Sequence, residues 1–152
     1  MKTYAKYPIA IVCIFTWIGF VCAISFMEAW LKFKAPGISI PLGLGIGRLV
    51  FSALNKVEWV FAIVILLTIL FSPDDLPTAG NILFVLPLTI LLLQTFWLLP
   101  ALDARAQMQI NGTSVAASNL HIYFVGMEVI KVCCLFITGI SFFKSKKIYN
   151  EH

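Results

Sequence analysis

Charged residues are scarce in this chain. They make up 12% of its 152 residues, whereas an average soluble domain carries about 25%. Hydrophobic residues account for 61% of the chain, and the mean hydropathy is +0.96. The composition therefore excludes an ordinary soluble domain and indicates a membrane protein with several spans.

Motifs of common catalytic chemistry are also missing. The chain has no GxSxG sequence for a serine nucleophile. Gly43, Gly45 and Gly47 have GxGxG spacing, but the lysine and serine or threonine of a phosphate-binding loop do not follow. Gly43 and Gly47, four residues apart, instead indicate close helix packing. Catalytic residues and cofactors stay unknown at this level.

Histidine is rare as well, with only His121 and a tail residue, His152. No ExxH or HxxxH pair is present, so the sequence predicts no metal site. A weaker alternative is a mixed site of His121, Glu128 and one further carboxylate, from Glu28, Glu58 or Asp103.

The four cysteines give no sign of redox or zinc chemistry. They all lie inside apolar stretches, and their spacing matches no disulfide or zinc motif: Cys13, Cys22, Cys133 and Cys134. We interpret them as small thiols of a helical core.

Four apolar stretches have lengths near that of a membrane span: 7–27, 57–71, 82–99 and 122–143. They predict an all-α fold, an integral membrane four-helix bundle built from two helical hairpins, with helices extended past the membrane on one side. The expected helices of this single domain, 1–152, are 8–34, 41–71, 82–110 and 115–143. Pro87 and Pro100 should kink the third helix, and Ser114 or Ser118 should cap the fourth.

Lysines cluster at both ends of the chain, and an even number of spans puts these ends on one side of the membrane: Lys2, Lys6, Lys144, Lys146 and Lys147. The positive-inside rule then predicts cytoplasmic termini, and we expect a multi-pass protein of a bacterial inner membrane. Lys32 and Lys34 would lie on the opposite side. Since no basic face exists, the net charge of +4 does not indicate nucleic acid as a partner.

Helical rise converts sequence position into depth, and the polar residues then fall into two layers. The inner layer, about 20 to 26 Å from the cytoplasmic helix ends, holds Asn55, Glu58, Gln94, Glu128 and Lys131. The outer layer, at about 33 to 36 Å, holds Glu28, Arg48, Asp103, Arg105 and His121. Arg48, Ser52, Asn55 and Glu58 also share one stripe of the second helix.

Two interpretations of the inner layer stay open. The first is a structural ion pair, centred on Glu128 and Lys131, that fixes the register of the helices. The second is a polar pocket that opens toward the far side and binds an ion, a proton or a small amphipathic ligand, in a protein related to transport. Its ligand-binding residues would be Glu28, Arg48, Asn55, Glu58, Asp103, Arg105, His121, Glu128 and Lys131.

In that pocket, Arg48 and Arg105 would recognise an anionic group, while Glu58 and Glu128 would accept a cation or a proton. Two alternatives belong to other classes: a membrane-embedded enzyme, an oxidoreductase or a metal-dependent one, acting on a lipid-soluble substrate, and an assembly factor or accessory subunit. The expected partners are the lipid bilayer, a small molecule or ion, and a second copy or another membrane protein.

Several segments together resemble a known family. They are FMEAWLKFKAPG (26–37), LGLGIGRLVFSALN (42–55), LLPALDAR (98–105) and SNLH (118–121). In this order they resemble the small four-helix membrane family that includes eukaryotic transmembrane protein 205 and bacterial relatives. The resemblance implies an integral membrane protein without an established enzymatic activity. It also implies a histidine at the start of the last helix with a polar residue seven positions later, here His121 and Glu128.

Overall fold

The computed structural model describes residues 2–72, 82–113, 115–116 and 118–146. In this part of the chain, four helices are long and apolar enough to cross a membrane: α1 Pro8–Lys34, α2 Ile40–Leu70, α3 Val85–Ile110 and α4 Leu120–Ser141. The predicted all-α four-helix architecture of a multi-pass membrane protein is confirmed. Lys147, His152 and Ser114 lie outside the described residues.

Local sequence signals account for the helix ends. Pro8 begins α1 and Pro41 lies in the first turn of α2, where the Ser39 hydroxyl accepts a hydrogen bond from the Leu42 amide at 3.4 Å. Gly37 and Gly112 have φ angles of 81° and 79°, a conformation that glycine adopts without strain. These two glycines therefore turn the chain after α1 and after α3.

The fourth helix begins at Leu120, later than the predicted residue 115. The Ser118 hydroxyl accepts a hydrogen bond from the Leu120 amide at 3.2 Å. Asn119 precedes the helix without a side-chain cap. Ser118, one of the two serines predicted as caps, therefore contacts the first residue of the helix, while Asn119 occupies the cap position.

Two helices contain a π-helical turn that the sequence did not predict. In α1 it covers Cys22–Glu28, and in α3 it covers Gln94–Leu98. Pro100 follows the second turn, and because proline lacks an N–H, the regular hydrogen-bond ladder is interrupted there. Pro87 lies in the first turn of α3, and the helical residues Ile82 and Leu83 before it are separated from α3 by the turn residue Phe84.

Each helix packs against its neighbours in the chain, and α1 also packs against α4, which closes the bundle. Two short strands, β1 (Lys2–Ala5) and β2 (Phe143–Lys146), pair antiparallel with Ala5 opposite Phe143. The rings of Tyr7 and Phe142 meet edge to face at 5.0 Å beside this ribbon. The two ends of the described chain therefore lie together at one end of the bundle.

The interior near the chain ends is apolar, and the outer surface is apolar too. Ile14, Trp17, Ile65 and Leu135 have no exposed surface, and they belong to one continuous cluster of buried side chains. Outward-facing residues are equally hydrophobic, as shown by Leu49 and Phe96, each 75% exposed. An apolar exterior of this extent suits contact with lipid chains instead of water.

Candidate functional site

A buried polar cluster lies beyond the apolar interior, with one or two side chains from each helix. We call it the ionic cluster and define it as Trp17 on α1, Glu58 on α2, Gln94 on α3, and Glu128 and Lys131 on α4. Lys131 and Glu128 have no exposed surface, and Glu58 is 2% exposed. Charged groups this deeply buried must be paired, because an isolated charge loses its hydration.

Lys131 stands at the centre of the ionic cluster. Its ammonium donates to Glu58 Oε1, to Gln94 Oε1 at 2.6 Å and to Glu128 Oε1 at 3.2 Å. An ammonium group has three hydrogens and no lone pair, so all three donors are used. The contacts reach α2, α3 and α4 from one nitrogen atom.

Gln94 and Trp17 are the two uncharged members of the ionic cluster. Gln94 Nε2 donates to Glu128 Oε1 at 2.9 Å, and Trp17 Nε1 donates to Glu58 Oε1 at 2.8 Å. Gln94 is the first residue of the π-helical turn of α3. Through Trp17, α1 joins the three helices that Lys131 already links.

One buried carboxyl oxygen of the ionic cluster has no hydrogen-bond partner among the described residues. It is Glu128 Oε2, and it is buried. Glu58 differs slightly, because its side chain keeps 3% of its surface exposed while that of Glu128 keeps none. The two carboxyl groups therefore have unequal surroundings although both contact Lys131.

A second polar group lies nearer the α1–α2 connection. Arg48 on α2 forms a two-pronged ion pair with Asp103 on α3, with Nε–Oδ1 at 2.5 Å and Nη2–Oδ2 at 2.9 Å. The third guanidinium nitrogen of Arg48, Nη1, donates to Gln107 Oε1. Lys32 pairs with Glu28 along α1 at 3.2 Å. These pairs are partly exposed, so solvent screening leaves each a small contribution to stability.

An open cavity of about 420 Å³ lies between these ion pairs and the ionic cluster. All four helices contribute to its wall. Its polar lining residues are Lys32, Arg48, Ser52, Asn55, Thr95, Asp103 and His121, and its large apolar ones are Phe33, Leu44, Phe51, Leu99, Leu102 and Phe124. Its size falls in the range of small-molecule sites, about 300 to 1,000 Å³.

A hydrogen-bonded layer separates this cavity from the ionic cluster. Thr95 Oγ1 accepts from Asn55 Nδ2 and from Trp59 Nε1, both at 3.0 Å, and donates to the Leu91 carbonyl at 2.7 Å. Asn55 and Thr95 line the cavity, whereas Glu58 and Gln94, their near neighbours in sequence, belong to the ionic cluster. The cavity floor therefore lies directly beside the ionic cluster, three positions away along α2 and one position away along α3.

Two small residues of α2 bring the end of α1 close to the cavity. A Cβ atom added to Gly43 would collide with the Phe33 ring, and one added to Gly47 would lie 2.9 Å from Lys32 Nζ. Gly43 and Gly47 are buried, as the packing interpretation of their spacing requires. Their lack of side chains lets Lys32 and Phe33 reach the cavity wall.

The structure distributes the nine predicted ligand-binding residues over four places. Arg48, Asn55, Asp103 and His121 line the 420 Å³ cavity. Glu58, Glu128 and Lys131 belong to the ionic cluster and are absent from the cavity wall. Glu28 contacts Lys32 instead, and Arg105 donates to the Ala116 carbonyl beside a smaller pocket of about 340 Å³. The single pocket expected from the sequence is thus divided.

Several residues of these sites were missed by the sequence analysis. Trp17 and Thr95 were not singled out, and Lys32 was considered only as a lysine on the side opposite the termini. A depth count that included hydroxyls would have put Thr95 beside Gln94, its neighbour in sequence. Trp17, nine residues from the start of α1, falls at about 14 Å in the same count, so it would still have been missed. Gln107, one turn beyond Asp103, falls on the same stripe of α3.

The mixed metal site considered from the sequence is not formed by the described residues. His121 lies at the cavity wall, while Glu128 is held in the ionic cluster. Among the described ranges, no group of three histidine, cysteine, aspartate or glutamate residues could hold a metal ion. The four cysteines are present as free thiols.

Comparisons with protein-family models, with curated proteins and with solved structures give no match for this chain. The interpretation of the site therefore depends on the geometry above. What is shown is a multi-pass membrane protein with four apolar helices, an ionic cluster in its interior and a cavity beside it.

Proposed function

We propose that this protein binds a small amphipathic anion in the 420 Å³ cavity. The observation that carries the proposal is that the charged side chains Lys32, Arg48 and Asp103 line the same cavity as large aromatic and aliphatic side chains. A ligand with an anionic head and an apolar body would satisfy both parts. Pockets that combine a few polar groups with apolar walls commonly bind such molecules.

The charges of the wall favour an anionic head group over a cationic one. Lys32 and Arg48 are cationic, and Asp103 is the one carboxylate among the lining residues. His121 makes no hydrogen bond or ion pair with the described residues, so its ring is available to a ligand. An arginine already oriented by a carboxylate presents a planar fork that suits carboxylates and phosphates.

The apolar walls suit a hydrocarbon chain. Phe51 and Phe124 meet edge to face at 5.2 Å, and both line the cavity with Leu99 and Phe33. Burial of a methylene group against such walls contributes about 0.8 kcal/mol. A medium-length acyl chain would therefore add several kcal/mol to the head-group contacts.

We further propose that the ionic cluster lies within the membrane and fixes the register of the four helices. A charged residue near the middle of a span costs about 3 kcal/mol on insertion scales, and its pairing offsets that cost. With cytoplasmic termini, the cavity would open toward the opposite side. This arrangement agrees with membership of the transmembrane protein 205 family, which we also propose from the quoted segments.

The test is binding of radiolabelled decanoate to the full chain in phospholipid nanodiscs. Ser52→Trp introduces a bulky side chain into the cavity wall, and Ala53→Trp introduces the same side chain at the adjacent exposed position, which does not line the cavity. We expect saturable binding by the wild type and by Ala53→Trp. For Ser52→Trp, we expect binding about tenfold weaker, equivalent to about 1.4 kcal/mol.

Competition by unlabelled decanol examines the role of the charge. Decanol has the same chain length and no anionic head, so it should displace decanoate poorly. Equal competition by decanol, or equal binding by the two tryptophan variants, would contradict an anion site in this cavity.

A further inference from the structure

We propose that Glu128 holds a proton at neutral pH, and that Glu58 alone is the ionised counterion of Lys131. The protein would then contain a buried proton-binding site, the Oε2 atom of Glu128. This inference does not depend on the ligand proposed for the cavity. It follows from the number of charges, the hydrogen bonds and the burial of the ionic cluster.

The first argument is the balance of charge. Two carboxyl groups and one ammonium group share the ionic cluster, and the residues that contact them from α1 and α3, Trp17 and Gln94, are neutral. With every group ionised, the interior would carry one surplus negative charge. An uncompensated charge in a desolvated interior costs several kcal/mol, and binding one proton removes it.

The second argument is the state of Lys131. Its Nζ atom lies at hydrogen-bond distance from three separate acceptor oxygens, an arrangement that the three hydrogens of an ammonium group satisfy. The lysine is therefore charged, and it needs one ionised carboxylate to balance it. The proton must reside on a glutamate.

The third argument is the difference between the two glutamates. Glu58 Oε1 accepts from the Lys131 ammonium and from the Trp17 indole at 2.8 Å, and its side chain keeps a small exposed surface. Glu128 Oε1 lies farther from the ammonium, at 3.2 Å, and Glu128 Oε2 is buried with no partner among the described residues. A bare anionic oxygen in that position is costly, so the proton is placed on Glu128 Oε2.

The protonation of Glu128 depends on the charges of the groups that face it. Glu58 from α2 and Lys131 from its own helix are the titratable groups of the ionic cluster, while α1 and α3 supply neutral donors. If Glu58 is neutralised, Lys131 keeps Glu128 as its single counterion. Glu58→Gln should therefore drive the proton off Glu128.

Infrared spectroscopy of the full chain in nanodiscs tests this assignment, because a protonated buried carboxyl group has a C=O stretching band apart from those of ionised carboxylates. At neutral pH we expect this band in the wild type and its loss in Glu128→Gln. Glu58→Gln should also lose it. Glu28→Gln, which alters the partly exposed pair with Lys32, should keep it.

Conservative variants identify which glutamate carries the proton even if Glu128→Gln fails to fold. Glu128→Asp should shift the frequency of the band, and Glu58→Asp should leave it in place. A band that shifts only in Glu58→Asp would overturn the assignment to Glu128. Absence of any such band in the wild type would mean that Glu128 is ionised, with a cation or water at Oε2, and would overturn the proposal altogether.

Discussion

Lys131 on α4 and Gln94 on α3 are joined by a hydrogen bond of 2.6 Å between Nζ and Oε1. The same amide donates to Glu128 through Nε2 at 2.9 Å, so one side chain of α3 contacts both charged residues of α4. Gln94 begins a π-helical turn, a local widening of the helix that is frequent at functional sites. The turn and the contacts of the ionic cluster thus occur at the same position of α3.

Loss of the ammonium group should be the most destabilising single change in the ionic cluster. Lys131→Met leaves Glu58 buried without its cationic partner and the Gln94 carbonyl buried without its donor. We expect a loss of about 3 to 5 kcal/mol, the range for breaking one side of a buried ion pair. Unfolding by sodium dodecyl sulfate in mixed micelles measures it.

The matched control for that variant is Lys56→Met. Lys56 is exposed on α2, so its substitution should change the free energy of unfolding by less than about 1 kcal/mol. Equal effects of the two lysine substitutions would mean that the buried contacts of Lys131 contribute nothing to the free energy of unfolding.

Much of the fold follows from the sequence because helix ends have local causes. Pro8, Ser39 and the two glycines with positive φ mark where the chain begins or ends a helix. The π-helical turns do not follow, since their apolar residues have no local pattern that separates a π from an α turn. The paired strands at the chain ends depend on contacts between residues far apart in sequence, which local signals do not report.

The site is predictable in depth but not in rotation about the helix axes. Helical rise puts Glu58, Gln94, Glu128 and Lys131 at similar heights, and the structure brings these four together. The same calculation cannot tell which side chains face a cavity. Asn55 was grouped with Glu58, three positions later on α2, but Asn55 lines the cavity and Glu58 does not.

Close packing of α4 against α1 should make Gly139 intolerant of a larger residue. A Cβ atom there would lie 3.1 Å from side-chain atoms of Ile14 and Phe15, and overpacking typically costs about 1 to 3 kcal/mol. Gly139→Ala should therefore lower the free energy of unfolding.

Gly126 on the same helix is the control, because a Cβ atom added there has no neighbour within 4 Å. Alanine favours a helix by up to about 1 kcal/mol relative to glycine, so Gly126→Ala should be neutral or stabilising. Unfolding in mixed micelles compares the two variants, and equal destabilisation would contradict the described contact between α1 and α4.

Substitutions of Arg48 and Asp103 should change the affinity for the anion in opposite directions. Arg48→Gln removes a cation from the cavity wall, and we expect decanoate affinity to fall about fivefold, or about 1 kcal/mol. Asp103→Asn frees the same guanidinium from its carboxylate, so affinity should rise by a similar factor. Decanoate binding in nanodiscs measures both changes. If the two variants change affinity in the same direction, Arg48 is not the group that recognises the anion.

The proposed orientation can be tested with cysteines in an otherwise cysteine-free chain. Lys6→Cys reports on the end of the bundle that holds the chain termini, and Thr113→Cys reports on the connection that follows α3. With cytoplasmic termini, a membrane-impermeant maleimide added to intact cells should label residue 113 and spare residue 6. Labelling of residue 6 alone would reverse the orientation.

The central claim is that charges from separate helices are energetically coupled in the interior of the bundle. A double-mutant cycle of Glu58→Gln and Lys131→Met, followed by unfolding in mixed micelles, tests it most directly. Because the two side chains contact each other, the double variant should be more stable than the sum of the single effects predicts, by about 2 kcal/mol. Additivity within about 0.5 kcal/mol, as expected for the control cycle of Glu58→Gln with Lys56→Met, would contradict the claim.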